Sequence, residues 1–168
     1  MVETEGLCRA LSGLLGHASL SVLSPVLRAV GNIVTGNDEQ TQSAIDAGVL
    51  PKLCKLLRSP DEAIRREACW AISNVMAGPT GQIQAALDAC ILPPLVWLLK
   101  RDPNTQIQKE AAFAIGNAMS GSAVPEQVKA LVDAGSIGAM GGLLGRTDCS
   151  KTLNVVLDGL TNFLSAGD

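Results

Sequence analysis

Aromatic residues are nearly absent from this chain. Its 168 residues contain two Trp, two Phe and no Tyr, although 47% of them are hydrophobic. An interior packed with Ala, Leu, Ile and Val favours closely spaced helices over β-sandwiches, which are rich in aromatic and β-branched residues. The length fits about one domain. Because aromatic side chains are so few, any that lies at the surface is a candidate functional residue.

The chain also lacks the features of a nucleic-acid or membrane protein. Thirteen Lys and Arg against sixteen Asp and Glu give a net charge of −3 and a pI near 5.1, whereas nucleic-acid binders are typically basic. No stretch approaches the ~18 apolar residues of a membrane span, and the first residues do not resemble a signal peptide. We therefore expect a cytoplasmic and nuclear protein without nucleic-acid or membrane partners.

Histidine and paired cysteines, on which metal sites and many catalytic sites depend, are scarce as well. The one histidine, His17, lies between two helical patterns and is expected in a solvated turn. The glycine-rich residues 135–142 match no phosphate-binding loop and predict a weak helix. We expect no enzyme activity, no cofactor and no metal site. No C-x-x-C pair occurs, so buried reduced thiols are predicted for the five cysteines: Cys8, Cys54, Cys69, Cys90 and Cys149.

An internal repeat organises the sequence. Asn recurs at positions 32, 74, 117 and 162, in steps of 42, 43 and 45. The string AIDAG at 44–48 returns as ALDAC at 86–90 and as LVDAG at 131–135. A period of ~40–47 residues with three helices per unit and a glycine after the first is typical of armadillo repeats. The predicted fold is all-α, a right-handed armadillo-repeat superhelical solenoid.

Three helices are predicted in each complete unit. The first is short and ends at Gly48, Cys90 or Gly135, where glycine favours a left-handed cap. The third is the longest, at about 61–77, 105–120 and 150–165, and in the last unit it ends at Gly167. The chain thus divides into one partial and three complete units, at about 1–36, 37–78, 79–121 and 122–168.

The first unit supplies only a second helix, 7–16, and a third, 19–35. Terminal repeats normally present a polar outer face. We therefore expect a fragment of a longer solenoid, or an open edge covered by another chain, including a second copy. Four leucines would lose their neighbours at this edge: Leu7, Leu11, Leu14 and Leu15.

The third helices carry the functional signal, because they line the concave side of such a solenoid. The two middle units share the pattern Glu-x-x-aromatic-x-x-x-Asn, in which all three side chains lie on one helix face. Its members are Glu67, Trp70 and Asn74, then Glu110, Phe113 and Asn117. Such a stripe is usually core packing, but other residues already fill the apolar positions: Ala68, Ile72, Val75, Ala111, Ile115 and Ala118.

These residue types fit a basic peptide in extended conformation. An Asn amide can pair with both the N–H and the C=O of a peptide backbone. Aromatic faces one repeat apart form slots for the stems of Lys or Arg, with a cation–π contribution of about 0.5–2 kcal/mol. Carboxylates at the mouth of a slot attract the charged head.

The run RAVGNIVTG at 28–36, with ACWAISN at 68–74 and EAAFAIGN at 110–117, resembles the importin-α family of nuclear import adaptors. The similarity covers nearly the whole chain from Ser24 onward and corresponds to about the sixth to ninth of ten repeats. In that family this region carries the minor binding site for nuclear localisation signals. The resemblance therefore implies signal peptides of cargo proteins as partners, and importin-β only where the full-length protein has the basic amino-terminal segment.

The resemblance also implies a set of peptide-binding residues. Arg28 stands where the family interrupts its aromatic ladder with arginine, and Phe113 stands where the family usually has Trp, which is expected to weaken that slot. The implied set is Trp70, Asn74, Phe113, Asn117, Glu67, Glu110, Ser73, Arg28, Val34, Thr35, Gly36 and Thr41.

One alternative function remains open at the level of sequence. An armadillo scaffold or repeat dimer would bind a folded partner instead of a peptide. Trp97, which aligns with Lys55 and Gly142 on the second helix, is either an exposed apolar spot or, as we expect, a cover for a neighbouring helix.

Overall fold

The computed structural model describes residues 2–122, 124–146 and 149–165, apart from the side chains of residues 2–4. These residues form eleven α-helices and no strand. The helices are α1 (Val2–Leu14), α2 (Leu20–Val34), α3 (Asp38–Asp46), α4 (Val49–Leu56), α5 (Glu62–Val75), α6 (Thr80–Asp88), α7 (Leu92–Arg101), α8 (Thr105–Gly121), α9 (Pro125–Asp133), α10 (Ser136–Leu144) and α11 (Ser150–Ser165).

The helices follow the predicted three-helix order. After α1 and α2, each unit has a short first helix, a second helix and a longer third helix, and the third helices α2, α5, α8 and α11 pack side by side. The first helices α3, α6 and α9 form a second row. This is an armadillo solenoid, as predicted. The expected end of the last helix at Gly167 lies outside the described residues.

The first helix differs from the prediction. It begins at Val2 and not at Leu7, and it carries an i, i+4 ion pair between Glu5 and Arg9 at 3.8 Å. The leucine edge is only partly open. Leu7 and Leu14 are exposed, whereas Leu15 is buried.

Left-handed residues separate the first and second helices, as predicted. Gly48 and Gly135 have φ values of 79° and 75°. Cys90 takes the same place with φ 56°, the one positive φ among the described non-glycine residues. Because this position lies beyond the helix end and outside the packing face, Cys90 is exposed, and the prediction of a buried thiol was wrong for it. Cys149 is half-buried, and the other three cysteines are buried.

Successive units are tied together by glutamines at the third position of α6 and of α9. Gln82 Nε2 donates to the carbonyl of Asp38 at 2.8 Å, and Gln127 Nε2 donates to the carbonyl of Thr80 at 2.9 Å. Both glutamines are buried. Each bond joins a glutamine to the first residue of the first helix in the preceding unit, and the two bonds thus link adjacent repeats.

The core lies between the helix rows and confirms the predicted apolar positions. Ala68, Ile72 and Val75 on α5 are fully buried, as are their counterparts on α8, Ala111, Ile115 and Ala118. His17 is exposed in the turn between α1 and α2, where its Nδ1 accepts from the Ser19 N–H at 3.0 Å. The glycine-rich segment forms α10, as expected.

Within the described residues, no single helix has the length and hydropathy needed to cross a membrane. One pair, Thr80–Asp88 and Leu92–Arg101, meets those two criteria only when the helices are taken together, with a bend of 82° between them.

Candidate peptide-binding groove

The row of third helices forms the candidate groove. Along it, Trp70 and Phe113 are half-buried at equivalent positions of α5 and α8, and Asn74 and Asn117 lie one turn further on. The equivalent asparagines at the two ends, Asn32 and Asn162, are exposed. The predicted pattern is therefore on the surface of the row and not in the core.

Trp70 is positioned by a glycine on the neighbouring helix. A Cβ atom at Gly31 of α2 would lie 2.3 Å from Cζ3 of the Trp70 indole, a distance that real contacts do not reach. The absence of a side chain at Gly31 thus lets the indole lie directly against α2. The six-membered ring of the indole packs on α2, and the side chain stays partly exposed.

Arg28 crosses to the next helix and binds the first acidic residue of the pattern. Its Nη2 lies 2.7 Å from Oε1 of Glu67. The Glu67 side chain is 16% exposed, whereas that of Arg28 is 62% exposed. A cation of this chain therefore already occupies the carboxylate between α2 and α5, at the point where the aromatic ladder is interrupted.

A second cation of this chain lies at the other aromatic position. Lys151 Nζ on α11 is 5.5 Å from the centroid of the Phe113 ring. Burial raises the pKa of Glu110 above its usual range, Lys151 and Arg66 counteract this rise, and Glu67 adds to it. Phe113, Glu110 and Lys151 thus form one cluster, in which an ammonium group stands over an aromatic face beside a half-buried carboxylate.

The asparagine amides are held by the backbone of α5. Nδ2 of Asn74 donates to the carbonyl of Trp70 at 3.0 Å, and Nδ2 of Asn117 donates to the carbonyl of Ser73 at 2.9 Å. Each Nδ2 keeps a second hydrogen, and each Oδ1 accepts no hydrogen bond from the described residues. Ser73 is buried, and its hydroxyl donates to the Trp70 carbonyl at 2.8 Å, so its side chain has a structural part.

A pocket of about 180 Å³ lies where α2, α3, α5 and α6 meet. It brings four residues of the implied set next to Asn74, and the hydroxyl of one of them, Thr41, donates to the carbonyls of Val34 at 3.4 Å and Asn37 at 3.2 Å. The pocket is lined by Val34, Thr35, Gly36, Asp38, Thr41, Asn74, Ala77, Gly78 and Gln82.

Three residues of the groove were not predicted from the sequence. Lys151 lies eleven residues before Asn162, a spacing that puts both residues on the same face of α11. This spacing could have identified Lys151 as a groove residue. Asp38 lines the 180 Å³ pocket. Gly31 precedes Asn32 as Gly116 precedes Asn117, and this small-residue column marks close helix contacts.

Two observations concern residues away from the groove. No group of His, Cys, Asp or Glu that would hold a metal ion occurs in the described part of the chain. Trp97 is 58% exposed, so the expectation that it covers a neighbouring helix was wrong. The helices beside it leave its indole at the surface, on the second-helix side of the solenoid.

Comparison with known proteins agrees with this architecture. A profile of the Armadillo/beta-catenin-like repeat matches residues 37–77 and 79–120. Importin subunit alpha-3 of Arabidopsis thaliana is 54% identical over 168 residues, and importin subunit alpha-1b of Oryza sativa subsp. japonica is 53% identical. Each alignment covers 99% of this chain and 31% of the relative. The chain therefore spans about a third of the length of these relatives.

Two solved structures that resemble this chain are of designed armadillo repeat proteins. A designed armadillo repeat protein in complex with the peptide (KR)4 superposes with a TM-score of 0.86 at 37% identity, covering 94% of this chain and 64% of that one. Computationally designed armadillo repeat proteins for modular peptide recognition match with the same TM-score at 34% identity, over 94% of this chain and 64% of theirs.

Proposed function

Because this chain is an armadillo-repeat segment of the importin-α family, we propose that it binds extended Lys/Arg-rich peptides of the nuclear-localisation-signal type. The binding site is the groove along α2, α5, α8 and α11. The chain acts as a non-enzymatic peptide-binding module.

The observation that carries this proposal is the cluster of Phe113, Glu110 and Lys151. An ammonium group of the chain itself lies 5.5 Å from the aromatic centroid, beside a carboxylate. A peptide lysine would present the same group to the same surface. The equivalent slot beside Trp70 has the larger aromatic face and the stronger cation–π attraction.

Backbone recognition comes from the asparagines. Their amide orientation is fixed by bonds to the α5 carbonyls, which leaves Oδ1 to accept from a peptide N–H and the second Nδ2 hydrogen to donate to a peptide carbonyl. Such contacts hold an extended chain without reading its side chains. Selectivity for basic residues then comes from the slots.

The 180 Å³ pocket beside Asn74 serves the end of the groove. Asp38 and Thr35 line it, and a carboxylate and a hydroxyl oxygen both attract or accept from a cationic head group. Val34, Gly36 and Thr41 complete its walls. We assign it to a lysine side chain of the bound peptide.

The test is a titration of a fluorescein-labelled Lys/Arg-rich peptide, followed by anisotropy at two salt concentrations. We expect salt-sensitive binding that Trp70→Ala or Asn74→Ala weakens by at least about tenfold. Trp97→Ala is the matched control for the loss of an indole, and Asn154→Ala, at an exposed position of α11, is the control for the loss of an amide.

Circular dichroism shows whether each variant keeps its helices. Unchanged affinity in both groove variants would refute the proposed groove, and so would the absence of binding by the parent chain. An equal loss in a groove variant and its matched control would also refute it, because the effect would then not be local.

The wider role that we propose is that of a nuclear import adaptor, or part of one. This chain matches two importin subunits over nearly all of its length. Localisation in the cytoplasm and the nucleus follows from that role. Binding of importin-β requires a basic segment in the full-length protein, so it is a proposal for the longer protein only.

Exposed leucines on α1 favour a second candidate function, that of a scaffold for a folded partner or a second copy. Leu7 is 53% exposed and Leu14 is 41% exposed, and both lie on α1. Multi-angle light scattering distinguishes the candidates. A concentration-dependent dimer that Leu7→Ser disrupts would support the scaffold, whereas a monomer that binds the basic peptide would support the groove.

A further inference from the structure

The second-helix side of the solenoid carries a larger cavity than the groove does. Its volume is about 570 Å³, which is within the range of pockets that bind small ligands or peptide side chains. We call it the Trp97 pocket. It is lined by Leu57, Arg58, Ser59, Arg65, Pro93, Pro94, Trp97, Asp102 and Pro103.

The walls of the Trp97 pocket are apolar and stiff. Trp97 gives an indole face that is 58% exposed, and three prolines with fixed φ angles stand around it. The floor is a buried ion pair, in which Arg65 Nε lies 2.8 Å from Oδ2 of Asp102. Arg65 Nη1 also donates to the carbonyls of Ser59 and Pro60 at 3.0 and 3.1 Å. A ligand therefore meets a preformed site with little ordering cost.

The charge of the Trp97 pocket is opposite to that of the groove. Asp102, its acidic residue, is 1% exposed and is engaged by Arg65. Arg58 is exposed and forms no ion pair with any residue that the structure describes. An unpaired guanidinium beside an apolar cavity attracts a carboxylate and repels a basic peptide.

The pocket belongs to one repeat interface. The positions equivalent to Trp97 hold Lys55 in the preceding unit and Gly142 in the following unit. Neither residue offers an aromatic wall. A ligand of this site is thus recognised at a single point and not along a periodic array, as in the groove.

From these observations we infer that the Trp97 pocket is a second binding site, which takes an acidic peptide carrying a large apolar side chain. The apolar side chain fills the cavity against Trp97 and the prolines, and a neighbouring carboxylate of the peptide pairs with Arg58. A buried aromatic anchor with one charged partner is the usual composition of a peptide hot spot.

The test uses a fluorescein-labelled probe peptide of sequence Ser-Asp-Glu-Phe-Asp-Leu-Glu-Ser with the full chain. Two matched peptides replace either Phe and Leu by Ser, or all acidic residues by Lys. We expect the first peptide to bind this site with a Kd below about 1 mM. Both matched peptides should bind it at least about tenfold more weakly. The lysine peptide also tests the groove, so its binding is measured in Trp70→Ala.

Two variants of the chain locate the contact. Trp97→Ser and Arg58→Glu are each expected to lower the affinity for the acidic peptide at least about tenfold. Lys55→Glu makes the same charge change on α4 outside the pocket, and it should lower that affinity less than about twofold. Trp97 is exposed, so its replacement leaves the core intact, and the thermal midpoint checks this.

Three results would overturn the inference. The first is that the acidic peptide does not bind at a protein concentration of about 1 mM. The second is an equal loss of affinity for this peptide in Arg58→Glu and Lys55→Glu, and the third is an unchanged affinity in Trp97→Ser. In NMR spectra the indole N–H signal of Trp97, assigned from the variant, must shift on titration while that of Trp70 does not. A shift of Trp70 alone would place the peptide in the groove and contradict the second site.

Discussion

Lys151 competes with any peptide that places a cation over Phe113, and its removal therefore tests the groove. The ammonium lies 5.5 Å from the ring centroid on an exposed side chain. At an exposed site a cation–π contact contributes about 0.5–1 kcal/mol. Since 1.4 kcal/mol corresponds to a factor of ten, Lys151→Met is expected to raise the affinity of a competing peptide about two- to fivefold.

The length of the peptide decides how many helices of the groove it spans. Packed helices are 8–10 Å apart, so the steps from α2 to α11 span roughly 24–30 Å. Eight extended residues at ~3.4 Å each cover about 27 Å, and four cover about 14 Å. Trp70 and Phe113 lie on adjacent helices, one step of roughly 8–10 Å apart, so (KR)2 as well as (KR)4 is long enough to reach Phe113 and displace Lys151.

The assay is fluorescence anisotropy of (KR)4 and (KR)2 with the parent chain and Lys151→Met at neutral pH. Removing a positive charge also strengthens the long-range attraction of any basic peptide. Lys129→Met removes the same charge from an exposed i, i+4 pair on α9. Its effect on affinity measures this long-range contribution. A gain in affinity for (KR)4 and (KR)2 that is no larger than the gain in Lys129→Met would refute the competition.

Two further predictions concern pH and stability. Because burial raises the pKa of Glu110, affinity for basic peptides should fall at a higher pH than the ~4.3 of an ordinary glutamate, and Glu110→Gln should flatten that dependence in anisotropy titrations. The folding stability that Glu110 contributes changes with pH in the opposite direction to the affinity. This stability is present below the ordinary pKa of a glutamate and is lost as the pH rises through the raised pKa of Glu110. Asp102→Ala leaves Arg65 unpaired at a site that is 13% exposed, so urea unfolding should show a loss of about 3–5 kcal/mol. A loss below about 1 kcal/mol, the value for an exposed pair, would contradict this.

The repeat and its helices were predictable from the sequence because they depend on local patterns. The asparagine column and the left-handed residues after each first helix repeat at fixed spacing, and backbone preference places the caps. The start of α1 was missed because its early residues are polar and lack the apolar period on which helix prediction depends. Exposure of Cys90 was missed for a related reason, since the chain leaves the packing face at that residue.

The partners of side chains in the groove were not predictable in the same way. Arg28 and Glu67 are 39 residues apart in sequence, and Lys151 is 38 positions after Phe113. Whether a flexible cation reaches across to the next helix depends on the separation of the helices and on the rotamer, neither of which a periodic pattern specifies. The pattern located the aromatic and acidic residues, and the structure shows which cations of the chain already contact them.

These contacts make the repeats of the groove unequal, although their backbones are alike. The aromatic position holds Arg28 on α2 and Asp158 on α11, so a full set of acidic, aromatic and amide side chains occurs on α5 and α8 alone. Glu67 is paired with Arg28 at 2.7 Å, which lowers its attraction for a peptide cation, and Lys151 partly covers Phe113. The slot between Trp70 and Phe113 is therefore the one in which a peptide cation gains most, and residues beyond it add less per repeat.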